Sequence, residues 1–162
     1  MVSENMDQFM KEVEAQADAQ IADEKKGEKV YKIVMVDDIK SISSSMKREL
    51  TFVARKEEKI RLSIVDIQDS EFAYEYLQKN KPDLLISDIK MPYLSGDKLV
   101  EAVKKLYPDL PVIVVTGFAT KENIVSVYKS DKNSIILSKP WEPERFISAV
   151  NQMLGTNFRW ND

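Results

Sequence analysis

Four short apolar runs punctuate this chain, at 34–36, 84–86, 112–115 and 135–137; the first extends back to Val30 across Lys32, a fifth stretch at 60–65 is broken by Arg61 and Ser63, and segments of helical period separate them. Runs of this length with little polar alternation fit strands buried on both faces of a parallel sheet. After the first run, Ile39, Ile42, Met46, Leu50 and Val53 share one helical face. A charged loop at 55–59 leads to the stretch at 60–65, and Phe72, Ala73, Tyr76 and Leu77 mark a helix over 70–78 that Lys81-Pro82 breaks. Leu99, Val103 and Leu106 belong to the next helix, Pro108 and Pro111 bracket the turn after it, and a further helix is expected over 120–128. The last helix starts on Pro143, turns Phe146, Ile147, Val150, Met153 and Leu154 inward and stops at Gly155. Five β-α units in succession predict an α/β fold, a doubly wound five-stranded parallel sheet with right-handed crossovers.

Ahead of the first strand, residues 1–28 stand apart by charge. They hold eight acidic side chains against three basic ones, net −5, whereas the rest of the chain carries net +2. Met6, Phe9, Met10, Val13, Ala17 and Ile21 recur at helical spacing, which predicts an amphipathic leader helix, with Asn5 and Gln8 as its amino-terminal cap pair and Gly27 as its stop. The apolar seam lasts only two to three heptads. It therefore serves equally for packing on the helix's own domain or for a partner helix. The expected division is a leader helix over 1–28, the sheet domain over 29–155, and a tail or the start of a linker over 156–162.

Composition narrows the chemistry. With no Cys and no His among 162 residues, disulfides, thiol nucleophiles, the usual zinc sites and Ser-His or Cys-His catalysis are excluded. Four glycines, at 27, 96, 117 and 155, spell neither a dinucleotide fingerprint nor a Walker-type phosphate loop. A formal charge of −3 with no long basic run gives no reason to expect direct nucleic-acid binding. No long apolar stretch or signal-peptide pattern occurs, so the expectation is a cytoplasmic protein without membrane attachment.

What remains stands at the strand ends. Asp37 and Asp38 follow the run at 34–36, Asp88 the run at 84–86, Thr116 the run at 112–115 and Lys139 the run at 135–137. Strands of an open parallel sheet present their carboxyl ends on one edge, where ligands bind. Taken singly, Asp38 reads as a helix cap, Asp88 as a turn residue, Thr116 as a strand-end hydroxyl and Lys139 as a surface cation. Together they place three carboxylates in one crevice. Charges about 4 Å apart repel by about 4 kcal/mol at an effective dielectric of about 20, so the cluster is protonated, exposed or neutralised by a cation. Mg²⁺ suits it, because that ion takes one or two carboxylates plus water and phosphate oxygens.

The pair Asp37-Asp38, the stretch Ser87-Asp88-Ile89-Lys90-Met91-Pro92 with Gly96, Val115-Thr116-Gly117, and Ser138-Lys139-Pro140-Trp141 resemble the motif blocks of response-regulator receiver domains, the chemotaxis-regulator-like modules of bacterial two-component phosphorelays. The likeness covers about residues 30–155. It implies the flavodoxin-like strand order 2-1-3-4-5. It also implies Asp88 as phosphoacceptor, taking the phosphoryl group from a histidine kinase, a phosphotransfer protein or a small phosphodonor. Asp37, Asp38, Asp88 and the backbone carbonyl of Lys90 would hold Mg²⁺ or Mn²⁺. Thr116 and Lys139 would bind phosphate and report it, while Lys90 and Phe118 would govern the access of water. Self-catalysed phosphoryl acceptance and slow autodephosphorylation would be the only chemistry; in that sense the protein is no enzyme.

Two departures from the family pattern stand out. Ile136 occupies the position where receivers usually carry the Tyr or Phe of the switch, and 130–134 lacks the Gly-Ala often found there. The face that commonly dimerises in receivers is therefore atypical, and a homodimer is left open. The downstream partner is an unknown protein or a C-terminal output domain. Two other readings compete with the switch: a degenerate receiver that docks constitutively, and a phosphohydrolase with an aspartyl intermediate. The second generally needs an Asp two residues after the nucleophile, where this chain has Lys90.

Overall fold

The computed structural model describes residues 4–22, 28–117 and 120–161, including, within the first helix, the side chains of residues 6–15. In chain order the elements are α1 (Glu4–Ala22), β1 (Lys29–Val36), α2 (Lys40–Ala54), β2 (Ile60–Ile67), α3 (Ser70–Lys79), β3 (Leu84–Ser87), α4 (Gly96–Leu106), β4 (Val112–Thr116), α5 (Lys121–Ser130), β5 (Ile135–Ser138) and α6 (Pro143–Leu154). The five strands form one parallel sheet in the order β2-β1-β3-β4-β5.

Side-chain alternation along each buried strand feeds two cores. Val34, Val36 and Leu85 face the side covered by α1, α3, α4 and α5, where Phe72, Leu77, Leu99 and Val103 pack. Ile33, Met35, Leu84 and Ile86 face α2 and α6, against Met46, Leu50, Phe146 and Val150. Strands apolar on both faces can only be central to a three-layer sandwich. That requirement sets every strand end, and hence the site, on the same edge.

The leader helix forms, and it packs on its own domain. Met10 and Val13 are buried in the first core, and the Phe9 ring lies 5.0 Å from that of Phe72 in α3. Of the expected cap pair, Asn5 has its backbone inside the helix and its side chain outside the described residues, and the Gln8 amide donates to Glu12. The side chains of Ala17 and Ile21, and Gly27, lie outside the described residues. Two other side chains depart from expectation. Ile39 is the residue before α2, not a member of its inner face, and is half exposed, while Leu106 at the end of α4 is 40% exposed. β2 runs to Ile67, two residues past the stretch at 60–65, because polar Asp66 still pairs in register with Met35.

Past Gly155, which ends α6 in the left-handed conformation with φ 72°, residues 156–161 fold back toward α2. Asn151 accepts from the Phe158 amide and the Thr156 hydroxyl and donates to the Phe158 carbonyl. Phe158 is buried, and Trp160 meets Phe52 of α2 edge-on with ring centres 5.1 Å apart. No helix among the described residues is long and apolar enough to cross a membrane.

Candidate functional site

At the carboxyl edge of the sheet, Asp37 follows β1, Asp88 follows β3 and Lys139 follows β5, while Thr116 is the last residue of β4. β1 and β3 are hydrogen-bonded neighbours, with Val36 opposite Ser87, so the residues that follow them emerge side by side. The Asp88 amide donates to the Val36 carbonyl at 2.9 Å. Each of Asp37, Asp38 and Asp88 offers a carboxylate oxygen within 4.8 Å of the others. Asp37 is buried, Asp38 exposed and Asp88 7% exposed. Asp38 makes no helix cap; the backbone amide of Ile39 instead donates to Asp37 at 2.9 Å.

Lys139 reaches into this cluster. Its Nζ donates to Asp37 Oδ2 at 2.7 Å and to Asp88 Oδ2 at 2.9 Å, and its amide donates to the Thr116 carbonyl at 3.0 Å. The Lys139-Pro140 bond is cis. Burial alone would lower the ammonium pKa, but the bonds to the two carboxylates outweigh it and hold the group above its ordinary value. For Asp37, burial raises the carboxyl, and Lys139 with the Ile39 amide offsets only part of that. Three carboxylates and one ammonium leave a formal charge of −2 in one crevice. An oxygen-rich, doubly negative donor set fits a hard divalent cation.

Thr116 is buried, and its Oγ1 has no hydrogen-bond partner among the described residues. An unsatisfied buried hydroxyl is costly, about 1–3 kcal/mol, and this one borders a cavity from which an acceptor can reach it. Asp38, Ile39, Asp88, Lys90, Thr116, Gly117, Lys139 and Pro140 line a cavity of about 380 Å³ at this edge. Lys90 is exposed at its rim, and Phe118 lies outside the described residues. Asp88 is steadied by its own loop: its Oδ1 accepts from the Ile89 amide at 2.7 Å, and its carbonyl accepts from the Ser87 hydroxyl. Gly96 closes that loop, donating to the Ile89 carbonyl at 2.7 Å. A Cβ there would stand 1.7 Å from the Asp88 carbonyl oxygen, so only glycine fits.

The geometry brings together every predicted site residue within the described part of the chain except Ile136. That residue lies on β5 opposite Val114, partly buried against the core beneath α3–α5. Comparison with known proteins gives the family. The sequence profile of the response regulator receiver domain matches residues 33–151. The chain belongs to that family. A chemotaxis protein CheY homolog of Campylobacter jejuni is 31% identical over 131 residues, covering 77% of this chain and 93% of that protein. The DNA-binding transcriptional regulator NtrC of Klebsiella pneumoniae is 29% identical over 75% of the chain, which spans only 24% of NtrC. Among solved structures, a CheY-like receiver domain protein from Methanospirillum hungatei superposes with a TM-score of 0.67 at 25% identity, covering 78% of this chain and 95% of that one. Receivers are phosphorylation-controlled switches of response regulators, and the fold and order found here are theirs.

Sequence reasoning missed one feature of the surroundings. Trp141, two residues past Lys139, donates its indole N–H to both carboxylate oxygens of Glu49 in α2, at 3.0 and 2.9 Å. The pair is 92 positions apart, and no local pattern links them. In place of the Gly-Ala of other receivers, buried Asp131 organises 131–134, accepting from the Asn133 amide and the Ser134 hydroxyl and facing Lys104 at 3.4 Å.

Proposed function

We propose that Asp88 is the phosphoacceptor of this receiver and that its phosphorylation resets the protein's partner contacts. The observation that supports this most is the Lys139 ammonium held between Asp37 and Asp88 at the rim of an open cavity. A lysine in that position can pass from carboxylate to phosphate without leaving its strand end. An Asp88 oxygen attacks phosphorus of a phosphohistidine or acyl phosphate. The new P–O bond forms as the bond to the imidazole nitrogen or acyl oxygen breaks, and the leaving group takes the electron pair. Lys139 then pairs with one phosphoryl oxygen and the Thr116 hydroxyl donates to another. Asp37, Asp38, Asp88 and the Lys90 carbonyl would hold Mg²⁺ or Mn²⁺, which supplies charge neutralisation at the phosphoryl oxygens. The donors are a histidine kinase, a phosphotransfer protein or a small phosphodonor. The output is a protein contact or a C-terminal output domain.

One observation favours a second reading, a constitutive docking module. Ile136 sits at the switch position, packed against the core, with no aromatic ring to rotate. Intact mass after incubation with acetyl phosphate and Mg²⁺ separates the two. A single Mg²⁺-dependent phosphoryl adduct, lost in Asp88→Asn, is expected. No adduct under any condition would overturn the phosphoacceptor role and leave the docking module.

A further inference from the structure

We infer that Glu49 and Trp141 are positioning residues for phosphoryl acceptance, their carboxylate–indole bond fixing the turn that carries Lys139 against α2. This rests on the phosphoacceptor reading above. Lys139 has a long, flexible stem, yet it must hold one place between two carboxylates. Its strand gives it one backbone tie, to the Thr116 carbonyl. The next anchor along the chain is Trp141, fixed by Glu49 at its N–H and packed against Phe146 at 6.2 Å between ring centres. Glu49 stands on α2, the helix that issues from Asp37 and Asp38. One bond thus joins the wall that carries two of the acids to the wall that carries the cation.

A packed Trp needs a partner for its N–H, but it does not need an acid. Glu49 is 9% exposed among Ser43, Met46, Leu50 and Val53 on the inner face of α2, where burying a carboxylate is costly. Burial pushes its carboxyl above the ordinary value, and the indole and Arg48 offset that only in part. A doubly accepting carboxylate holds the indole more firmly than a neutral acceptor does. Small misplacements of a charged group at a reacting centre are expensive in rate.

The test measures phosphorylation rates of the full chain with acetyl phosphate and Mg²⁺ by intact mass, in wild type, Glu49→Gln, Glu49→Leu, Trp141→Phe and Leu77→Ala. Glu49→Leu and Trp141→Phe should accept phosphate about tenfold more slowly, and Glu49→Gln, which keeps an acceptor, should stay within about threefold of wild type. Leu77→Ala empties a core site on the opposite face of the sheet; it should unfold at lower urea yet accept phosphate at the wild-type rate. Wild-type rates in Glu49→Leu and Trp141→Phe would overturn the inference, as would Glu49→Gln slowed as much as Glu49→Leu. A second readout needs no phosphate: in ¹⁵N–¹H spectra Glu49→Leu should shift the Lys139 backbone amide and Glu49→Gln should shift it far less. An unmoved Lys139 amide in Glu49→Leu overturns the inference. A moved amide in a protein that takes no phosphate overturns only the phosphoacceptor reading.

Discussion

Gly96 shows how one residue ties chemistry to backbone. Any side chain there meets the Asp88 carbonyl, a backbone atom that cannot swing aside. Gly96→Ala should therefore cost more than the roughly 1 kcal/mol of an average substitution, since the loop after β3 must shift as a unit. Urea denaturation measures the cost, and a slower adduct under acetyl phosphate should accompany it. Glu49 makes a prediction with a sign. Its folded-state pKa lies above the unfolded value, near 4.5. The folded protein thus binds the proton more tightly than the unfolded chain, a contribution fully present below about pH 4.5 and lost as pH rises through the folded pKa. Glu49→Gln keeps an acceptor for Trp141 and has no charge to bury. Its unfolding free energy relative to wild type should rise between pH 4 and pH 7; a flat difference would mean that the buried carboxylate costs nothing. The strand-end residues were legible in the sequence because parallel strands leave the sheet on one edge. The Glu49–Trp141 pair was not, because a contact across 92 residues has no periodicity.

Elements were legible to the degree that burial dictates their pattern. β3, β4 and the second half of β1, covered on both faces, read as apolar runs, and α6 announced itself through Pro143 and Gly155. β2 was read short because Asp66 interrupts the run while its backbone pairs on, and Ile39 was misplaced because α2 begins one residue after it. Whether α1 packs on its own domain is decided by tertiary contact, which a narrow seam does not encode. Removing residues 1–27 uncovers Phe72 and the pockets of Met10 and Val13. At about 1.5–3 kcal/mol per fully buried large side chain, less the entropy of holding the helix, the loss should be about 2–4 kcal/mol. Urea unfolding of the shortened chain measures it, and a change below about 0.5 kcal/mol would mean that α1 adds no net stability. The segment after α6 hangs on one side chain. Asn151→Ala removes three hydrogen bonds to Thr156 and Phe158 and should cost about 1–3 kcal/mol. A red shift of Trp160 emission as it leaves Phe52 should accompany the loss.

For the whole molecule the question is how a phosphoryl group at one edge would reach a partner's surface. Moving a two-state equilibrium from 1:99 to 99:1 takes about 5.5 kcal/mol, all of it from contacts that differ between the states. Lys139 already has two acceptors, so exchanging a carboxylate for a phosphoryl oxygen gains it little. Thr116 has none among the described residues, and a charge-assisted bond from its hydroxyl would contribute about 1.5–3 kcal/mol. On that reading β4 and the start of α5 would be the route, and the gain would fall short of a complete shift. Receivers usually carry a Tyr or Phe at this β5 position, which rotates with the hydroxyl. Here Ile136 stays packed against the core under α3–α5 and has no ring to follow. Hydrogen exchange on the protein with acetyl phosphate and Mg²⁺ should therefore show changed protection at the amino end of α5 and little change along β5. Thr116→Ala should form the adduct and lose most of that α5 change. Ile136→Tyr should extend the change into β5. An α5 response undiminished in Thr116→Ala would rule out the hydroxyl as the lever, and a strong β5 response in the native chain would show that Ile136 transmits the shift without a ring.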